Sequence, residues 1–247
     1  MRGVTGTSGD LSFRATAVAV LGFALAMAYL ESAVVVYLQG ALGARVGDIF
    51  PLRPEVQAGN LGLIEVGREA ATLVMIGLIG ALVGRTHLER LAWIAVVFGA
   101  WDIGYYGWLQ VFSGWPGSLG TSDLLFLIPV PWVGPVWSPI VVSAALVGFG
   151  LMAASTVRSG RRLVAMRRHW AAGLAGGLLV IVSYTLDSDR LFSGGLPGPY
   201  PWPLFAIGMM LAVAAALDAL RRAAPTDSPL KGDPVGTTRR DPRQPMT

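Results

Sequence analysis

The chain has 247 residues, of which 53% are hydrophobic and 14% charged, and its mean hydropathy is +0.58. Soluble domains carry about 25% charged residues, so this composition excludes an ordinary soluble domain and indicates an integral membrane protein. The formal net charge is +4, but most basic residues lie in short loops between apolar runs or in the C-terminal tail, a pattern typical of membrane topology signals and not of nucleic-acid binding.

Six long apolar runs follow one another along the chain. A helix of about 20 apolar residues crosses a hydrocarbon core of about 30 Å. We therefore predict an all-α polytopic bundle over residues 14–221, between a cytoplasmic N-terminal tail at 1–13 and a disordered cytoplasmic C-terminal tail at 222–247. The spans are predicted at 15–38, 61–83, 91–112, 140–157, 170–186 and 204–220. A signal peptide ending near Ala28 is the alternative for the first run, although that run continues well past Ala28.

A shorter apolar run at 124–132 separates the third span from the fourth and is broken by Pro129 and Pro131. It is too short to cross a membrane. We therefore predict a re-entrant or interfacial element, whose free backbone groups must be buried in protein or face water. Asp123 stands at the head of this run, after two hydroxyl residues. A helix N-cap is one interpretation of that position, and membership in a polar site is the other.

Glycines spaced four residues apart occur in two of the predicted spans, Gly80 with Gly84 and Gly173 with Gly177. This spacing of small residues lets the backbones of neighbouring membrane helices approach closely. We therefore expect each pair to mark a contact between helices.

The basic residues favour one orientation in the membrane. Placing the N-terminus, the second loop, the fourth loop and the C-terminal tail on one side leaves only Arg45, Arg53 and Arg190 on the other. The positive-inside rule then makes both termini cytoplasmic. The basic side carries Arg2, Arg14, Arg85, Arg90, Arg158, Arg161, Arg162, Arg167, Arg168, Arg221, Arg222, Lys231, Arg239, Arg240 and Arg243.

With this topology, acids from four segments lie at a similar depth, towards the extracytoplasmic face. These acids are Glu31, Glu65, Glu69, Asp102 and Asp123. Arg68 is three residues from Glu65, close enough on a helix to pair with it, and Tyr106 is one turn from Asp102 on the same face. Ionisable residues inside a membrane are costly, and they mark functional sites or satisfied polar pairs.

Two interpretations of these side chains are open at this stage. In the functional one, they converge on a cavity that binds a cation, relays protons or holds a polar head group. In the structural one, Arg68 neutralises one glutamate, aromatic side chains donate to other acids, and those near the interface reach water. The residues of the candidate site are Glu31, Glu65, Arg68, Glu69, Asp102, Tyr106 and Asp123.

The residue types also limit the cofactors. Oxygen ligands favour hard cations such as Mg²⁺, Ca²⁺ or Mn²⁺, so a divalent metal held by Glu65, Glu69 and Asp102 is one form of the hypothesis. The chain has no cysteine, and both histidines, His87 and His169, are next to basic loop residues. We therefore expect no haem, iron–sulfur cluster or thiolate metal site. The expected partners are the lipid bilayer and either another membrane protein or a second copy of the chain, with no nucleic acid.

Five stretches carry a resemblance to known sequences. They are YLESAVVVYL at 29–38, IEVGREAATLVM at 64–75, WDIGYY at 101–106, GWPGSL at 114–119 and DLLFLIPVPWVGPVWSP at 123–139. Together they resemble a group of uncharacterised bacterial multipass membrane proteins with about six spans. The resemblance covers roughly residues 15–160 and implies a location in the bacterial cytoplasmic (inner) membrane. It implies no activity, ligand or catalytic residue.

Three functions are compatible with these patterns. The leading hypothesis is a membrane protein with an extracytoplasmic-facing carboxylate site, acting in transport or as an accessory subunit. The first alternative is a membrane-embedded enzyme that uses carboxylates, with or without a divalent metal, on lipid or isoprenoid substrates. The second alternative is a structural subunit of a membrane complex. The absence of a visible inverted repeat, a frequent feature of secondary transporters, weakens the transport hypothesis.

Overall fold

The computed structural model describes residues 12–50, 52 and 60–225, and most of these residues are helical. The helices are α1 (Phe13–Ala41), α2 (Asn60–Val83), α3 (His87–Ser113), α4 (Trp137–Arg158), α5 (Arg167–Thr185), the short α6 (Ser188–Phe192) and α7 (Trp202–Arg221). The predicted tails at 1–13 and 222–247 lie almost wholly outside the described residues.

Every predicted span coincides with a long helix. Each lies inside one helix, apart from the fifth, whose last residue is one beyond the end of α5. The helical segments of the described chain that are long and apolar enough to cross a membrane are Phe13–Ala41, Leu61–Val83, Trp137–Arg158, Arg167–Phe192 and Trp202–Arg221. These five are consistent with a multi-pass membrane protein, and the prediction of six spans goes one helix, α3, beyond this finding.

The remaining long helix, α3, occupies the centre of the first four helices. It begins after Thr86, whose hydroxyl accepts a hydrogen bond from the backbone N–H of Glu89, and it ends at Gly114, which has a φ of 71°. The helices α1, α2 and α4 all pack on it. Trp93 and Val96 of α3 are fully buried. A helix with several polar residues is thereby surrounded by more apolar neighbours.

The glycine pairs behave differently from each other. A Cβ on Gly80 or Gly84 would lie within 3 Å of the α3 backbone, so this pair marks a close helix contact as predicted. The corresponding expectation for Gly173 and Gly177 is wrong, because nothing lies within 4 Å of a Cβ at either position. The close approach of α5 to α7 occurs instead at Gly176, where a Cβ would lie 2.6 Å from a backbone oxygen of α7.

Basic residues gather at one end of the bundle, which we call the basic end. The helices α1, α3 and α5 begin there, and α2, α4 and α7 end there. At this end Arg158 forms an ion pair with Glu89, with 2.6 Å between Nε and Oε1, and its Nη1 donates to the hydroxyl of Thr16. Two short strands, β3 (Arg161–Arg162) and β4 (Ala224–Pro225), pair antiparallel at the same end of the bundle.

The opposite end, which we call the hairpin end, contains the segment predicted as re-entrant or interfacial. It is a two-stranded antiparallel hairpin of β1 (Ser122–Phe126) and β2 (Trp132–Pro135). This hairpin is a departure from an all-α fold. An isolated two-stranded hairpin is marginal in water, and here it is held by packing. The hydroxyl of Ser188 in α6 donates to the carbonyl of Pro131 at 2.8 Å.

Candidate functional site

A polar cavity of about 130 Å³ lies towards the hairpin end, between α1, α2, α3 and β1. We call it the acidic cavity. Helices α1 and α2 both pack on α3, and the hairpin and the loop after α1 complete the wall. All seven residues of the candidate site line this cavity, namely Glu31, Glu65, Arg68, Glu69, Asp102, Tyr106 and Asp123.

Arg68 links two of the three helices. Its guanidinium forms ion pairs with Glu31 of α1 and with Glu65 of α2, the latter with 2.8 Å between Nη2 and Oε2. The pairing with Glu65 is the one that the three-residue spacing indicated. The hydroxyl of Thr72 donates to Glu31 at 3.4 Å. Arg68 therefore compensates two carboxylates and holds α2 against α1 at the level of the cavity.

Glu69 has a different partner, although it is only one turn from Glu65. Both of its carboxylate oxygens accept from the backbone N–H of Leu127, at 3.0 and 2.9 Å. Leu127 directly follows β1, so this bond attaches α2 to the hairpin. Glu69 is 7% exposed, and its position in the cavity wall depends on a backbone contact that no helical spacing could indicate.

The two aspartates are held by hydroxyl donors from α3 and α4. The Ser143 hydroxyl donates to Asp102 at 2.8 Å, and the Tyr106 hydroxyl donates to Asp123 at 2.9 Å. Asp123 also accepts from the backbone N–H of Leu124. The helix N-cap interpretation of Asp123 is wrong, because the residue lies within β1, where it pairs with Gly134 of β2.

Sequence reasoning missed several residues of the cavity wall. Trp101 and Tyr105 each directly precede a predicted site residue on α3, and they line the cavity as well. Trp101 is 6% exposed, and its indole Nε1 is buried with no hydrogen-bond partner within the described structure. Thr72 and Asp48 also line the cavity. The position of Asp48, in the loop after α1, gave no signal in the sequence.

The geometry does not support the three-carboxylate metal site. Within residues 12–50, 52 and 60–225, no three histidine, cysteine, aspartate or glutamate side chains come close enough to hold a metal ion together. Glu69 accepts from the hairpin and Asp102 accepts from Ser143 on α4. The proposed ligands Glu65, Glu69 and Asp102 therefore share a cavity but do not form one coordination shell.

Asp123 lies outside the membrane-spanning helices, and its environment favours the neutral acid. Burial raises the pKa of Asp123 to about 7. The charge of Asp102 raises it as well, whereas the hydrogen bonds from Tyr106 and from the backbone of Leu124 lower it. The ionisable side chains of Tyr105 and Arg68 also line the cavity that Asp123 lines. Burial is the largest of these effects, so the carboxyl titrates in the neutral range.

This titration predicts a pH dependence of stability. The unfolded carboxyl has a pKa of about 3.9, so between that value and about 7 the folded protein binds more protons than the unfolded chain. Stability therefore falls as pH rises through this window. We expect Asp123→Asn to lack this part of the fall, which is on the order of a few kcal/mol.

The measurement is equilibrium unfolding of wild type and Asp123→Asn in mixed detergent micelles at pH 5 and pH 8. Asp189→Asn, at an exposed position on α6, is the matched control and should follow the wild type. An equal fall in stability between the two pH values for wild type and Asp123→Asn would contradict the prediction.

Comparison with protein-family models, with curated proteins and with solved structures finds no match to this chain. The function must therefore be argued from the site itself.

Proposed function

We propose that this chain is a six-span protein of the bacterial cytoplasmic membrane, with both termini in the cytoplasm and the hairpin end outside. Helix α3 has 27 residues, which at 1.5 Å per residue give about 40 Å, enough to cross a bilayer. The arginines of the basic end support the orientation. In this arrangement the acidic cavity lies towards the extracytoplasmic side.

We further propose that the acidic cavity binds a small cationic group. The observation that carries this proposal is the imbalance of charge in the cavity wall. Among the described lining residues, six are aspartate or glutamate and only one, Arg68, is basic. Arg68 is already paired with Glu31 and Glu65. Burial disfavours the ionised form of such carboxylates, and a bound cation stabilises that form by supplying the missing counter-charge.

The size and the acceptors of the cavity favour an ammonium group over a bare metal ion. A volume of about 130 Å³ corresponds to about four water molecules at about 30 Å³ each. The carboxylates accept hydrogen bonds, which a primary ammonium donates. Among the described residues no three of these side chains are close enough to hold a metal ion together. A transport protein and an accessory subunit would share this binding step.

The test is titration of the full chain in mild detergent with ethanolamine, at constant ionic strength, followed by calorimetry. Because small ligands gain at most about 1.5 kcal/mol per heavy atom, the titration must extend to the millimolar range. We expect saturable binding to the wild type and a loss of about tenfold or more in Asp102→Asn, because a hydrogen bond to a charged group contributes about 1.5–3 kcal/mol.

Two comparisons make the test specific. Asp189→Asn should bind as the wild type does, and ethylene glycol, which is neutral, should not bind. Equal binding of ethanolamine and ethylene glycol, or no binding of either, would overturn the proposal.

A further inference from the structure

A second cavity, of about 460 Å³, lies between α3 and α4 on one side and α5 and α7 on the other. We call it the apolar cavity. Its volume is within the range of about 300–1,000 Å³ that is typical of ligand sites. Its wall is largely aliphatic and aromatic, with contributions from Phe98, Leu146, Phe149, Val180 and Val213.

Small residues on α5 create this space. Gly173 and Gly177 both line the apolar cavity, and nothing lies within 4 Å of a Cβ at either position. These glycines are therefore not needed for helix packing, since the close approach of α5 and α7 occurs at Gly176 and Gly208. Ala145 of α4 lines the facing wall. The glycines of the cavity wall leave open a space that larger side chains would fill.

The cavity extends along α5. Its lining there runs from Gly173 to Tyr184, which at 1.5 Å per residue is about 16 Å. An extended hydrocarbon chain can lie along a wall of this length.

The polar groups of the apolar cavity are confined to its hairpin end. They include Asp102, Ser143 and Tyr184, whereas the wall nearer the basic end consists of residues such as Ala95 and Ala216. Asp102 also lines the acidic cavity, as do Leu125 and Phe126. The two cavities therefore adjoin at the polar end of the apolar one, through a shared wall that carries a carboxylate.

We infer that the ligand is a single-chain amphiphile, with its ammonium head group beside Asp102, where the two cavities adjoin, and its hydrocarbon chain in the apolar cavity. This inference rests on the proposed function and adds the class of ligand. The cation compensates the charge of Asp102, and the chain leaves water or lipid for an apolar wall. From Asp102 the chain extends towards the basic end.

The experiment measures binding of hexadecylamine, hexylamine and ethylamine to the full chain at a fixed detergent concentration, by native mass spectrometry. Gly177→Leu places a side chain in the middle of the apolar cavity, about 10 Å from Tyr184 along α5. We expect this substitution to weaken the binding of hexadecylamine at least tenfold and to leave the binding of ethylamine unchanged. The matched control is Gly148→Leu on α4, a glycine with equally open surroundings that does not line the cavity, and it should change neither.

A second variant tests the direction of the chain and guards against a folding defect in the first. Gly173 lies one turn closer to the basic end than Gly177. Gly173→Leu should therefore weaken the binding of hexadecylamine and leave the binding of hexylamine unchanged. Unchanged hexadecylamine binding in both glycine variants would overturn the inference, while ethylamine binding would still support the proposed function. Binding of hexadecanol with no binding of any amine would overturn both.

Discussion

Glu89→Gln is expected to lower the free energy of unfolding by about 3–5 kcal/mol, the range for removing one partner of a buried ion pair. The side chain of Glu89 is fully buried, and that of Arg158 is 11% exposed. The backbone of Arg85 and the indole of Trp93 donate to different oxygens of Glu89, so glutamine, with one acceptor oxygen, can keep only one of these two bonds. The guanidinium of Arg158 would then lie beside the ring of Trp93 without a counter-charge.

Equilibrium unfolding in mixed detergent micelles measures this loss. The double variant Glu89→Gln/Arg158→Met removes both charges and should regain most of the stability, because a buried pair can be replaced by apolar groups at little cost. The control is Asp218→Asn, since the side chain of Asp218 is 40% exposed and pairs with Arg168, Arg222 and His169. We expect a much smaller loss there, because exposed ion pairs contribute little to stability. A loss of similar size at Glu89 would contradict the prediction.

Arg68→Met is expected to have the second-largest effect, about 3 kcal/mol. The substitution leaves Glu31 and Glu65 uncompensated, and it also removes the link between α1 and α2. We place the loss of stability at the lower end of the range for buried pairs, because the Arg68 side chain is 22% exposed. The remaining carboxylates of the acidic cavity would also repel one another, so the loss should increase as pH rises.

The companion variant separates charge from packing. Adding Glu31→Gln and Glu65→Gln to Arg68→Met should restore most of the stability, because no uncompensated charge remains at that point. Arg222→Met is the matched control, since Arg222 pairs with Asp218 where both side chains are about two-fifths exposed. A triple variant as unstable as Arg68→Met alone would show that the hydrocarbon part of Arg68 matters more than its charge.

The positions of the helices could be predicted because they depend on local composition. A run of apolar residues long enough to cross a bilayer must satisfy its backbone within itself, and the helix does so. The predicted run at 61–83 therefore matches α2 closely. The structure of residues 122–135 could not be predicted in the same way. Their hairpin is stabilised by contacts with Ser188 and with Glu69, which are far away in the sequence.

Of the two helix contacts predicted from glycine spacing, one was correct and one was wrong. The spacing of Gly80 and Gly84 and that of Gly173 and Gly177 are identical in the sequence, yet only the first pair packs against a helix. Spacing identifies a face of a helix, but the rotation of that helix about its axis decides what the face meets. On α5 the rotation brings Gly176 to α7 and leaves Gly173 and Gly177 facing a cavity.

The sequence by itself determined that the chain is largely helical, with apolar runs consistent with a multi-pass membrane protein, and it indicated which acids come together. Both conclusions follow from the hydrophobic length and periodicity of each segment. Only the tertiary structure decided the partners. Arg68 to Glu31, Glu69 to Leu127 and Arg158 to Glu89 join separate elements. Such contacts depend on how helices pack against each other, because side chains distant in the sequence meet only after the axes and rotations of the helices are fixed.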